Sequence, residues 1–249
     1  GTGNATISTD GQNAPASICP KGWRLPTGGS TGEFRTLYNN YNSADAMIHG
    51  PAKFTLSGFK HPIMLMGGIG QYGDYWSSTA GSDIGAYFMM LSANNTVSPD
   101  GAINRYIGYS VRCIADDKLG LSSIANMQDM TPEVCAVTTT PKRTATILDT
   151  DGSHAGDPNY VPTKTLTDTR DNNTYNVSKL ADGKCWMTQN LRIAGKTLTP
   201  ADSDVTSSYT IPASSISGFS SYDTSNAYVD SDGGFYPWYT ATAGTGTYS

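Results

Sequence analysis

DTRDNNTYNVSKLADGKCWMTQNL, residues 168–191, decides how the chain is read. Short apolar and β-branched runs alternate with turn residues in this stretch. Leu166–Arg170, Thr174–Leu180 and Cys185–Leu191 are three strand candidates. Asp171-Asn172-Asn173 joins the first two, and Ala181-Asp182-Gly183-Lys184 joins the second and third. Asp-Gly supplies the positive φ angles that a tight hairpin needs. A three-stranded antiparallel meander is therefore expected here, and it is the firmest β signal in the chain.

Upstream, ICPKGWRLPT (18–27) leads into GGSTGEFRTLYNNYNS. Ser30 and Glu33 stand at capping-box spacing. Phe34, Leu37, Tyr38 and Tyr41 then repeat at the spacing of one helical face, so a helix is expected over 31–41. A second short helix fits 44–49, stopped by Gly50-Pro51. Glycine-rich sequence surrounds a short strand at Tyr75–Thr79. AYFMMLS (86–92) forms another strand, Asn94-Asn95 a hairpin turn, and TVSPDG a connection. A last strand lies within YIGYSVRCIA, where Tyr109, Val111 and Cys113 alternate with Ser110 and Arg112. Leu121, Ile124, Ala125 and Met127 have near-helical spacing and suggest a linker helix within 116–130. Residues 195–235 read as polar and loop-like, and the chain ends FYPWYTATAGTGTYS.

The composition suits such a chain. Of 249 residues, 37% are hydrophobic and only 15% charged, against about 25% charged in an ordinary domain. A net charge of −5 and a pI near 5.0 argue against a nucleic-acid partner, which needs a basic footprint. No apolar run approaches the roughly 20 residues that span a bilayer, and the opening GTGNATISTDG has no signal-peptide pattern. Cys19, Cys113, Cys135 and Cys185 form no CxxC pair. Their even count and wide spacing suggest two disulfides and an oxidising compartment, with three pairings open.

Four of these stretches, DTRDNNTYNVSKLADGKCWMTQNL, ICPKGWRLPT, YWSST (75–79) and YSVRCI (109–114), together closely resemble the fibrobacter-type major paralogous domain. That domain stands among the C-type-lectin-like folds, near the formylglycine-generating-enzyme group. The resemblance implies an α+β fold: short helices on small, twisted, mainly antiparallel sheets with long loops and two disulfides. It pairs Cys19 with Cys113, and Cys135 with Cys185. MQDMTPEVC (127–135) is similar to the segment preceding this domain in surface proteins of small host-attached bacteria.

The order of parts departs from the family. The meander comes first there, then WYTATAG…GTYS, CPKGWRLPT, YWSST and finally VRC. Here 1–116 resembles the C-terminal half of a module, 117–133 a helical linker, and 134–249 the N-terminal half. A circular permutant, a window cut from a tandem array, or completion by a neighbouring subunit would each give this order. The start-of-module signature at 116–133 favours the array or head-to-tail completion.

Candidate chemistry is sparse. His49, His61 and His154 are not placed together by any motif. Gly67-Gly68-Ile69-Gly70 lacks the Lys-Ser/Thr of a phosphate loop, and no HExxH occurs. An oxidase like the formylglycine-generating relatives needs a reactive thiol, whereas the family pattern gives all four cysteines structural partners. No cofactor is expected. Calcium is the one ion with candidate positions, at Asp149 and Asp151 and at Asp230 and Asp232, where Asp-x-Asp-Gly resembles the start of an oxygen-ligand loop without its later glutamate. Tyr72, Tyr236 and Tyr239 are candidate contacts for a host-cell protein or a glycan. Trp23, Trp76, Trp186 and Trp238 read as core. The Asn-x-Ser/Thr triplets at Asn4, Asn94, Asn172 and Asn176 read as chance in a bacterial protein. The expected role is an extracellular, cell-surface structural or adhesive module, repeated in a fibre or adhesin, with neighbouring copies as partners and no membrane insertion. A glycan-binding lectin is the alternative, and the oxidase a remoter one.

Overall fold

A computed structural model describes residues 11–61, 66–82, 84–115, 125–129, 163–212 and 233–245. These form an α+β body of short helices and small antiparallel sheets. In chain order the elements are α1 (Glu33–Tyr41), α2 (Ala44–His49), β1 (Tyr72–Ala80), β2 (Gly85–Ser92), β3 (Val97–Asn104), β4 (Ile114–Ala115), a 3-10 turn (Met127–Asp129), β5 (Thr163–Thr167), β6 (Thr174–Lys179), β7 (Cys185–Met187), β8 (Thr197–Leu198), β9 (Tyr209–Thr210) and α3 (Trp238–Ala241).

The expected meander is present as β5-β6-β7, with Thr163 opposite Ser178 and Val177 opposite Met187. Its turns have the expected chemistry, Asn172 and Gly183 both taking positive φ. The quoted DTRD segment does more than turn the chain. Asp168 and Arg170 form a buried ion pair at 2.6 Å. Arg170 also donates to the Ile18 carbonyl and to Ser203 Oγ, and Gln128 Nε2 donates to Asp168 Oδ1. One turn thus fastens three separate stretches of chain.

β7 has a further neighbour outside the meander. Ile114 pairs with Trp186 and Ala115 with Cys185, giving a four-stranded sheet in the order β4-β7-β6-β5. The second sheet, β1-β2-β3, is an antiparallel hairpin pair whose β2–β3 turn carries Asn95 at positive φ. β3 occupies the stretch expected to be a connection. Its Pro99 sits on a strand paired on one side only, where a missing N–H costs no ladder bond. The other edge of β1 is covered by three short segments: Ser78 N donates to Pro26 O, Trp76 N to Ser110 O, and Ala14 N to Ser78 O. Gly73 has no room for a Cβ, which would lie 2.2 Å from the Thr55 carbonyl oxygen.

Both helices fall where periodicity placed them, but the α1 cap is different. Ser30 takes no part, and the N-cap is Gly32 without a side-chain bond. Instead Glu33 N donates to Thr27 Oγ1 and Thr27 N donates to Glu33 Oε2. Reciprocal capping is achieved across a loop, over a longer span than the motif assumes. Phe34 and Leu37 are buried as expected. The last expected strand shrinks to β4, because Tyr109 and Ser110 make isolated bridges to Tyr236 and Tyr75. Of the linker helix, the described residues hold only the 3-10 turn, whose Met127 carbonyl accepts from Trp23 Nε1. The closing aromatic segment, for which no element was expected, contains α3.

The core is continuous across the sequence. Ile18, Trp23, Trp76, Val111, Cys113, Val177, Met187, Leu191, Tyr236 and Trp238 belong to one apolar cluster. A second cluster joins Phe34, Phe54, Tyr75 and Leu91 to Trp186. Residues from 1–116 and from 134–249 are in both. The Cys19–Cys113 disulfide lies within the first cluster. No described cysteine is free. Cys185 is engaged, while Cys135 lies outside the described residues, so one of the two expected bridges is described.

Candidate functional site

The seam between the two parts of the chain is built from backbone acceptors and buried donors. Trp76 Nε1 donates to the Tyr236 carbonyl at 2.6 Å, and Trp238 Nε1 donates to the Ser77 carbonyl at 2.7 Å. Each indole thus reaches across the seam to the backbone of the other side. Arg112, fully buried, donates to Asn190 Oδ1, Met187 O, Ala52 O and Lys53 O. Burial lowers its guanidinium to about 10, still charged at neutral pH. Its cation lies 4.7 Å from the Phe54 ring centroid, a contact that strengthens when desolvated. The alternation at 109–113 identified one inward face, but Ser110 and Arg112 are buried too. The segment has core on both sides.

A second ionic cluster binds α1 to the β6–β7 turn. Arg24 meets Glu33 through two bonds of 2.7 Å, and Lys184 Nζ reaches Glu33 Oε1 at 3.0 Å. Burial alone would raise the Glu33 carboxyl, but the Arg24 guanidinium, with Thr27 N–H and Lys184, holds it at about 2. Nearby, burial pushes Asp182 up to about 6 while it accepts from Trp186 Nε1. Asp74, 4% exposed on β1, is pushed up to about 7 by burial alone. Glu33 and Asp182 are held by scaffold contacts, and the described residues contain no group of three or more His, Cys, Asp or Glu able to hold a metal.

Two surface concavities remain. One, of about 290 Å³, lies at the seam between Asn13–Ser17, Arg24, Thr27, Ser78 and Asp204. Its polar side chains are largely taken up: Ser17 Oγ donates to Asp204 Oδ2, and Asn13 Oδ1 accepts from Thr79 Oγ1. The other, of about 210 Å³, is lined by Gln71, Tyr72, Ser92, Ala93 and Asn94. It sits where the start of β1 pairs with the end of β2, Tyr72 opposite Ser92. Ala93 N donates to the Gln71 carbonyl, and Asn95 Oδ1 accepts from Asp45 N, which pins the turn to α2. Ile69, two residues before Gln71 in the chain, is 59% exposed.

Of the three candidate tyrosines, Tyr72 and Tyr239 are exposed, at 38% and 39%. Tyr72 lines the smaller concavity, while the Tyr239 ring packs near Tyr209 at 6.4 Å between centroids. Tyr236 is not a surface contact. It is fully buried, its hydroxyl accepting from Ile193 N and bonded to the carbonyls of Leu191 and Ile193. The aromatic-rich ending that suggested exposure instead folds α3 into the core. All four tryptophans are buried. His49 is exposed and 3.7 Å from Asp45, and the His61 ring lies 6.0 Å from Tyr106. Asp149, Asp151, Asp230, Asp232 and His154 lie outside the described residues. Gln71 was not singled out in the sequence, and Asn94 only as a turn residue and as the start of an Asn-x-Ser/Thr triplet. Only the β1–β2 register, which sets Tyr72 beside the Asn94-Asn95 turn, could have found them.

Compared with protein-family models, with curated proteins and with solved structures, the chain matches none.

Proposed function

We propose that this chain is an extracellular structural or adhesive module of a bacterial surface protein, on a C-type-lectin-like scaffold and repeated along a fibre or adhesin. The observation that carries the reading is the β4–β7 pairing, in which the end of one part of the chain completes the meander of the other. Either part alone would leave a sheet edge and an apolar face open. A neighbouring copy can offer the same strand, the same indoles and the same arginine, so the seam is the natural joint of an array. The Cys19–Cys113 bridge suits an oxidising, extracellular setting. No helix among the described residues is long and apolar enough to cross a membrane.

Light scattering and electron microscopy of the full-length gene product at rising concentration test this reading. Elongated head-to-tail assemblies are expected. Isolated single globules at every concentration would overturn it. A glycan-binding module is the second reading, favoured by the exposed Tyr72 in its neutral concavity.

A further inference from the structure

The concavity beside Tyr72 differs from the larger one at the seam in what its side chains leave unused. Among the described residues, the Tyr72 hydroxyl and the Gln71 carboxamide make no hydrogen bond. Asn94 uses only its carbonyl oxygen, which accepts from Ser92 Oγ, and its amide nitrogen has no partner. Two carboxamides and a phenol therefore present several donors and acceptors toward about 210 Å³ of open space. No lining residue carries a charge, so the site offers nothing that would hold an anion or a cation strongly. The tyrosine ring adds an apolar plate, 38% exposed.

Neutral donors and acceptors around an exposed aromatic ring match a molecule with hydroxyls at its edge and C–H bonds on its face. We propose that Gln71, Tyr72 and Asn94 form a calcium-independent subsite for a neutral saccharide residue, its C–H face against Tyr72 and its hydroxyls bonded to the two amides. The backbone bond from Ala93 to Gln71 and the pinned Asn95 side chain keep the two walls of the concavity in place before the sugar arrives, which limits the ordering cost of binding. A shallow site of this size holds one sugar residue weakly, with a Kd of about 1 mM or above. Useful avidity then requires several copies on one ligand.

The inference rests on the glycan-binding reading and names its site. The test is a titration of the whole chain with N-acetyllactosamine, cellobiose and sialyllactose, followed by amide chemical shifts, with and without a chelator. Shifts confined to Gln71, Tyr72, Ala93 and Asn94, unchanged by the chelator and stronger for the two neutral sugars, are expected. Tyr72→Ala should weaken binding at least tenfold. Gln71→Ala and Asn94→Ala, at exposed positions, should each weaken it several-fold without altering the fold, and Tyr72→Phe should retain most of it. No shift with any sugar, preference for sialyllactose, or loss of binding with the chelator would overturn the proposal. Shifts centred elsewhere and indifferent to Tyr72→Ala would overturn this site while leaving the lectin reading intact.

Discussion

Asp74→Asn should make the protein more resistant to alkaline destabilisation. Asp74 as a whole is 4% exposed, and its carboxyl accepts no hydrogen bond among the described residues. Burial raises it from 3.8 to about 7, so the folded state holds its proton more tightly than the unfolded chain. The stabilisation from that proton is complete below about pH 4 and is lost as pH rises through about 7. A shift of this size corresponds to about 4 kcal/mol at most, at roughly 1.4 kcal/mol per pH unit. The Tyr109 hydroxyl, pushed up by burial first and by the Asp74 charge second, titrates too high to interfere. Urea unfolding followed by tryptophan fluorescence, from about pH 5 to about pH 9, isolates the effect in the difference between variant and parent. Near pH 5 the variant should already be ahead by about 1.6 kcal/mol, since most unfolded chains have by then released the proton that the folded state still holds. By pH 9 the variant should be ahead by as much as about 4 kcal/mol. A difference that stays flat across the range would show that Asp74 is solvated or partnered when charged, and the burial argument would fail.

Glu33→Gln should behave in the opposite sense. The Arg24 pair holds the carboxyl near 2 against a usual 4.5, so its contribution of up to about 3 kcal/mol is present above pH 4.5 and fades as pH falls toward 2; acid titration of stability checks this. Replacing Cys19 and Cys113 by serine opens a crosslink spanning 94 residues, and calorimetry should register a loss of about 4 kcal/mol on the chain-entropy model. Arg112→Met leaves four acceptors on two stretches of chain, 52–53 and 187–190, without their donor. Urea denaturation should show about 3–5 kcal/mol lost, and Arg112→Lys should not restore it, because one ammonium cannot fork toward all four.

Local signals were legible where local physics decides. The α1 face, the α2 boundaries, the Asn94-Asn95 turn and the meander all follow from side-chain period and turn chemistry within about ten residues. What could not be read was settled at long range. Thr27 replaced Ser30 in capping Glu33 because the preceding loop folds back. VSPDG became a strand because β2 offered an edge. Arg112 looked like an outward residue on an alternating strand, yet it is a buried hub, since the partners that satisfy it come from residues 52, 53, 187 and 190. Tyr236 and Tyr72 were both candidate contacts in the sequence and are opposite in burial, because distant backbone at Leu191 and Ile193 encloses the Tyr236 hydroxyl. The candidate saccharide residues share that origin: Tyr72 and Asn94 are adjacent only through strand register.

The way β1 is covered has a consequence for the order of events as the chain folds. Its β2 neighbour is local and can pair within microseconds of collapse. Its outer edge waits for residues 14, 26 and 110, and the indole of Trp76 waits for a partner 160 positions away. Such distant closures come late and slowly. Until they happen the edge stands bare, and any nearby copy carrying the same closing segments can reach it first. The final step of maturation and the first step of association therefore compete for a single strand.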